Sequence, residues 1–261
     1  MTSGSVDDAP LLRLRGVVKN FGAVQALRGV DLDIPAGQVT ALVGDNGAGK
    51  STLIKTISGI WGLDGGEMVW QGRPVHFSSP RDANKHGIAT VYQDLALCDN
   101  LDIVQNMFLG RELVARGVLN ERDMERTTSK TLKDLSVTTV KSIRQPVASL
   151  SGGQRQAVAV ARAVMEDAEL VILDEPTAAL GVSQTAMVLE LVKQLSGRGI
   201  AVLLISHNLN DVFAVADRIA VLHLGTMAES GPIEDYDTQS AVELITTGKR
   251  SPQVAETRGG A

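Results

Sequence analysis

Apolar residues follow two rhythms along this chain. Val39-Thr40-Ala41-Leu42-Val43, Ile88-Ala89-Thr90-Val91-Tyr92, Leu170-Val171-Ile172-Leu173 and Ile200 to Ile205 are short, almost unbroken apolar runs. Runs of that length between turn residues predict strands covered on both faces, and Arg218 to Leu224 reads as another. Between them apolar residues recur three and four apart. Val188, Leu191, Val192 and Leu195 mark one face of a helix over Ser183 to Leu195, and helices are predicted from Thr52 to Ile57 and from Asn208 to Ala216. Such alternation predicts an α/β fold, a mostly parallel sheet with helices on both faces.

The N-terminal part is patterned differently. Leu11 to Val18 alternates in part, and Val30, Leu32 and Ile34 alternate strictly with Asp31 and Asp33 before a turn at Pro35-Ala36-Gly37. A turn at Asp64-Gly65-Gly66 is expected to lead into a strand over Glu67 to Trp70, with Pro74 to Phe77 pairing back after Gln71-Gly72-Arg73. These segments predict an antiparallel β subdomain. Ser79-Pro80-Arg81-Asp82 starts a short helix with proline in its first turn. From Leu95 to about Leu150 strand signals are scarce, while Asp102 to Leu109 and Glu121 to Leu135 carry helical spacing. An inserted helical subdomain over about 94–154 is expected, splitting a core of 11–93 and 155–247. Residues 1–10 and 248–261 are polar and read as a disordered start and a loose tail. No internal repeat is visible.

Composition narrows the function. Apolar residues make up 44% but aromatic residues only 3%, so the core must be aliphatic. A net charge of −5 lacks the electrostatic footprint of a general nucleic-acid binder, and no nucleic-acid partner is expected. No apolar run approaches the roughly eighteen residues that span a bilayer, and Met1 to Asp8 has no basic flank or apolar stretch of a secretory signal. Cys98 is the only cysteine, so no internal disulfide can form and the cytosol is the expected compartment. Cys98 itself reads as a packing residue.

The chemistry begins at Gly44-Asp45-Asn46-Gly47-Ala48-Gly49-Lys50-Ser51-Thr52, which fits G-x-x-x-x-G-K-[ST] between a predicted strand and a predicted helix. Glycines let successive N–H groups point into one concavity, and a helix N-terminus adds its positive dipole end. Lys50 would reach the β- and γ-phosphates and Ser51 would ligate Mg²⁺. Asp174-Glu175 ends a buried strand, where an acid that holds Mg²⁺ belongs. Asp174 would hold the metal, and Glu175 could polarise an attacking water. Ser151-Gly152-Gly153-Gln154 has the spacing of a capping box, which a simple helix start would explain. Its glycine pair also suits close approach of an anion, which makes it a second candidate phosphate site serving another copy. Phe21 is either a core residue or an exposed ring able to stack on a base.

Leu150-Ser151-Gly152-Gly153-Gln154, lying between the phosphate loop and the Asp-Glu strand end, resembles the ABC (ATP-binding cassette) ATPases over residues 10–247. By that resemblance Gln93 is the glutamine that touches Mg²⁺ beside the transmembrane contact. His207 is the residue that reads the γ-phosphate, and Phe21 stacks on adenine. The resemblance implies two cassettes closed head to tail on two ATP molecules, with Glu175, His207, Gln93 and Lys50 catalytic. Asp45-Asn46 within the loop, Val91 to Leu97, Asn106 to Glu112 and Pro176 to Val182 resemble the ATPases of bacterial monosaccharide importers. This implies a permease, a second copy or paralogous cassette, an indirect solute-binding protein, and a place on the cytoplasmic face of the membrane. Another cargo (amino acid, lipid or drug) and a soluble ABC ATPase without transport are the alternatives. One departure stands out: Ala178-Ala179-Leu180-Gly181 has glycine where most of the family has aspartate, in a loop that helps couple the two ATP sites.

Overall fold

A computed structural model describes residues 9–137, 139–165 and 167–250. The expectations for the two ends therefore fall largely outside the described residues. The chain opens with β1 (Leu12–Phe21) and β2 (Val24–Ile34), an antiparallel pair. Val30, Leu32 and Ile34 are buried on the inner face, as their strict alternation requires. The partial alternation of β1 has a cause: the register shifts between Leu14 and Val17, around Gly16 at φ 56°, so the inward phase changes midway. Asp31 accepts the Gly16 amide at 2.6 Å and fixes this bulge.

β3 (Val39–Val43) follows, then α1 (Lys50–Ile57) and β4 (Gly65–Trp70). The turn expected at Asp64-Gly65-Gly66 is instead the start of β4, which pairs with β1. Gly66, at φ 82°, lies against the bulge so closely that a Cβ would meet the Gly16 carbonyl oxygen at 2.3 Å. β5 covers only Arg73–Pro74; Val75 donates once more to Met68, and the expected pairing to Phe77 stops there. The chain leaves the sheet because Ser79 caps the next helix, α2 (Pro80–Lys85), through the Asp82 amide. The first sheet has the order β2-β1-β4-β5.

β6 (Ile88–Val91) leads into the helical segment, with α3 (Ile103–Phe108) and α4 (Glu121–Asp134). Between these helices lies an unexpected hairpin of β7 (Val114–Ala115) and β8 (Val118–Leu119). It turns through Arg116 and Gly117, both at positive φ, as a tight two-residue loop demands. α5 (Gly152–Val164), β9 (Leu170–Asp174), α6 (Val182–Ser196), β10 (Ala201–Ile205), α7 (Leu209–Val215) and β11 (Arg218–His223) complete the alternation. β12 (Thr226–Pro232) and α8 (Thr238–Thr247), which apolar spacing does not announce, close the chain.

The second sheet has the order β12-β11-β3-β10-β9-β6 and is parallel except for β12 at its edge. Its two faces feed two cores. Leu42, Ile172, Leu203 and Leu222 pack toward α1 and the first sheet. Val43, Leu173, Val202 and Val221 pack toward α5 and α6. Burial on both faces is why these strands read as unbroken apolar runs. Among the described residues no helix is long and apolar enough to cross a membrane.

Candidate active site

Three neighbouring parallel strands deliver the site. Leu42 of β3 and Asp174 of β9 both pair with Ile205 of β10, so the chain leaves all three strands at one carboxyl edge. The loop 44–49, the pair Asp174-Glu175 and the segment Ser206-His207 emerge there side by side, where ligands of such sheets bind.

Sterics dictate the loop. A Cβ on Gly44 would fall 2.3 Å from the Leu222 carbonyl oxygen, and one on Gly49 would fall 2.9 Å from that of Ala26. Gly49 caps α1 at φ 108°, a conformation that side-chain-bearing residues avoid, and gives it no side-chain cap. The first amides of α1 are thus left for a ligand. Lys50 folds back into the loop, its Nζ donating to the carbonyls of Gly44 at 2.7 Å and Asp45 at 3.1 Å. Burial pulls the Lys50 ammonium below its usual pKa, against the attraction of Glu175, Asp45 and Asp174. Burial likewise holds Asp174 above the ordinary carboxylate range, with Glu175 adding to it and Lys50 opposing it.

A cavity of about 440 Å³ lies over the loop, and its walls include Lys50, Ser51, Gln93, Asp174 and Glu175. Asn46, Gly47, Gly49 and Thr52 also line it. Gly44, Asp45 and Ala48 shape the loop from outside that lining. Glu175 sits at φ 52°, its amide donating to the Ile205 carbonyl, and its Oε2 lies 2.6 Å from Nδ1 of the exposed His207. His207 therefore reaches the cavity through Glu175. Thr177 and the buried Asp211 of α7, neither a candidate from the sequence, bond at 2.7 Å and tie the segment after Glu175 to the helix after His207. No spacing signal marks that pair, because the two residues lie on different elements.

Phe21 stands beside the cavity, outside its lining, 42% exposed and edge-on to Trp61 with ring centroids 4.6 Å apart. Ser151 and Gln154 form the full capping box of α5: Ser151 Oγ accepts the Gln154 amide and Gln154 Oε1 accepts the Ser151 amide. The glycines there also have a packing reason. A Cβ on Gly152 would meet Leu180 Cδ2 at 2.7 Å, and one on Gly153 would meet Met187 Cε at 2.6 Å. They let α5 lie close on α6. None of residues 151–154 lines the cavity of its own chain. Gly181 is the N-cap of α6, extended and without a capping side chain.

Ser51, Gln93 and Asp174 offer oxygen donors to the same cavity. Among the described residues no three His, Cys, Asp or Glu side chains cluster as a metal cage. An ion here would rely on hydroxyl, amide and a single carboxylate plus substrate oxygens, the donor set that suits Mg²⁺.

Comparison with known proteins agrees with this geometry. The family described as ABC transporter matches residues 27–178. The fructose import ATP-binding protein FrcA of Rhizobium meliloti is 46% identical over 253 residues, covering 94% of this chain and 97% of that one. The xylose/arabinose import ATP-binding protein XylG of Sulfolobus acidocaldarius is 48% identical over 237 residues, covering 91% and 94%. An ATP-binding cassette of an ABC transporter, solved in its ADP conformation, superposes with a TM-score of 0.76 at 25% identity, covering 96% of this chain and 99% of that one. The family match over more than half of the chain, with relatives of this identity and coverage, shows that the chain belongs to the ABC transporter family.

Proposed function

We propose that this chain hydrolyses ATP to energise the import of a monosaccharide, as a peripheral subunit on the cytoplasmic face of a membrane. The observation that carries the reading is the convergence of Lys50, Ser51, Gln93, Asp174 and Glu175 on one cavity, with His207 bonded to Glu175. ATP lies with its phosphates in the loop 44–52 and its adenine on Phe21. Glu175 accepts a proton from the attacking water, while Lys50 and His207 face the charge that develops on the γ-phosphate. Ser51, Gln93 and Asp174 would hold Mg²⁺, which supplies charge neutralisation when bound.

Ser151, Gly152, Gly153 and Gln154 stand apart from their own chain's cavity, which supports their serving the nucleotide of a second copy or a paralogous cassette. The unit 11–247 then works as a core of 11–93 and 155–247 with 94–154 as the part that moves. Two cassettes close on two ATP molecules, and hydrolysis removes contacts that hold them shut. Permease subunits take up that motion, and a solute-binding protein acts upstream of them. The printed functions of FrcA and XylG support a sugar cargo.

Replacing Glu175 by Gln tests the reading. Removal of a general base should slow hydrolysis by about 10²–10⁴-fold while ATP still binds, and ATP should then trap a dimer. Turnover at the wild-type rate would refute it. Purification from native membranes should bring down a permease with an uptake assay specific for a monosaccharide; an amino-acid or lipid permease would redirect the cargo.

A further inference from the structure

The Phe21 ring is paired with a second ring, on the segment that leaves the far end of α1. Phe21 is the last residue of β1 and pairs with Val24 of β2 across the two-residue turn Gly22-Ala23. A ring at a hairpin tip, 42% exposed, is free to change rotamer unless something holds it. What holds it is Trp61, edge-on with ring centroids 4.6 Å apart and planes at 70°.

Trp61 is itself held from α1. Lys55, in the last turn of that helix, accepts the Ile60 and Trp61 amides on its carbonyl at 2.9 and 3.1 Å. Its ammonium lies over the Trp61 ring, 4.8 Å from the centre, as a cation on an aromatic face. The strand that carries Phe21 is tied to the same segment. Asp64 accepts the Asn20 amide at 2.6 Å and the Lys19 ammonium at 3.0 Å, and its own amide donates to the Val18 carbonyl at 2.9 Å. Lys19 also donates to the Gly62 carbonyl at 2.8 Å, with its ammonium 5.7 Å from the centre of the Phe21 ring. The stretch 60–64 thus joins the end of the phosphate-loop helix to the end of β1.

We propose that Trp61 is a positioning residue for the nucleotide base: it holds the Phe21 ring at a set distance from the phosphate loop, so that a base carried on phosphates in that loop meets a ring already in place. The inference rests on the reading that Phe21 stacks on adenine. α1 begins at the amides left for the phosphates and ends at Lys55, and its eight residues span about 12 Å. One short helix therefore sets the places of both ends of the ligand. An edge contact fixes a ring without covering the face on which a base stacks, and a ring fixed in advance loses less freedom on binding. Trp61 does not line the nucleotide cavity, so it acts through Phe21.

The test titrates the full chain by calorimetry with ADP and, separately, with pyrophosphate, each with Mg²⁺. The proteins are the wild type, Trp61→Ala, Trp61→Leu, Trp61→Tyr, Phe21→Ala, and Trp61→Leu combined with Phe21→Ala. The leucine variant keeps apolar bulk and removes the ring, and it decides the matter should the alanine variant not fold. Loss of the aromatic contact should weaken ADP about three- to tenfold in Trp61→Ala and Trp61→Leu while pyrophosphate binding stays within about twofold of wild type. Trp61→Tyr should restore ADP binding. In the Phe21→Ala background Trp61→Leu should cost nothing further, the non-additivity of residues that work as a unit. In the transporter complex the KM for ATP should rise by the same factor in Trp61→Leu with kcat unchanged. ADP binding unchanged in Trp61→Leu would mean that Phe21 is held by other means. Pyrophosphate weakened as much as ADP would make Trp61 a structural prop of the loop, and a full further loss in the Phe21→Ala background would mean that Trp61 meets the base itself. Each of these three results overturns the inference and leaves the adenine reading standing. If Phe21→Ala alone leaves ADP binding unchanged, the adenine reading falls first and the inference with it.

Discussion

The phosphate loop offers an internal control for how much of its glycine content is geometry and how much is space. Gly47 and Gly49 are two residues apart, both at positive φ, 81° and 108°. A Cβ on Gly47 meets nothing within 4 Å, whereas one on Gly49 meets the Ala26 carbonyl oxygen at 2.9 Å and Leu27 Cδ2 at 3.1 Å. Gly47→Ala should therefore carry only the backbone cost of a left-handed alanine, about 1–2 kcal/mol. Gly49→Ala carries the same cost plus crowding against a fixed carbonyl, about 1–3 kcal/mol more. The crowding term cannot relax cheaply, because Ala26 lies in β2 and Leu27 is fully buried. Urea unfolding of the nucleotide-free protein reads the difference in midpoints at constant slope. ATP affinity should fall in the same order, since Gly49 is the cap from which the helix amides are presented. If the two variants lose the same stability within about 0.5 kcal/mol, the steric account of Gly49 is wrong.

Other expectations follow from particular contacts. Asn106 is fully buried and bonds to Cys98 at both its amide and carbonyl, and to the Leu101 and Asp102 carbonyls. Asn106→Ala should cost about 2–3 kcal/mol and speed the reaction of the Cys98 thiol with a disulfide reagent; an unchanged thiol rate would show the loop held by other means. Arg144 binds Asp102, Glu121 and Glu125 together, and these carboxylates raise its pKa. Arg144→Met should lower thermal stability by about 1–2 kcal/mol at low salt and by less in about 1 M salt, where screening shortens. Gly181→Asp should add about 0.5–1 kcal/mol by capping α6, because a Cβ there meets nothing and no side chain caps it now. Asp174 has a native pKa raised by burial, so the native state holds its proton more tightly than the unfolded chain does. Native stability from this group then falls as pH rises from the ordinary carboxylate range through the raised value. Asp174→Asn should stabilise the nucleotide-free protein at neutral pH and lose that advantage in acid, as melts across pH would show.

Much of the scaffold was legible because its strands are covered on both faces. Val39 to Val43 and Leu170 to Leu173 are apolar runs that end at the loop and at Asp174-Glu175, so the strand ends that carry these candidate residues are visible in the sequence. What escaped notice lacks periodicity. β7 and β8 are two residues each, too short to show a repeat. β12 is an edge strand whose residues are exposed or half-exposed apart from the buried Gly231, and α8 announces itself chiefly through the cap of Asp237 on the Ser240 amide. Gly65 and Gly66 read as a turn because a bulge in a distant strand, not a local reversal, requires them. The glycines at 152 and 153 looked like preparation for an anion, and the chain shows a second reason in their contact with α6. Arg162 of α5 donates to the Leu95 and Ala96 carbonyls, more than sixty residues earlier, a tie that no spacing announces.

Lys50 braced on the carbonyls of Gly44 and Asp45 has one more implication. A polyphosphate arriving in this loop inherits a mould whose curvature is already set, and it exchanges oxygen partners around an ammonium that barely travels. Such a grip is indifferent to what hangs on the far end of the phosphate chain. In the proposed function, telling a nucleotide from bare triphosphate falls to Phe21, whose ring lies edge-on to Trp61 and would stack on any base alike.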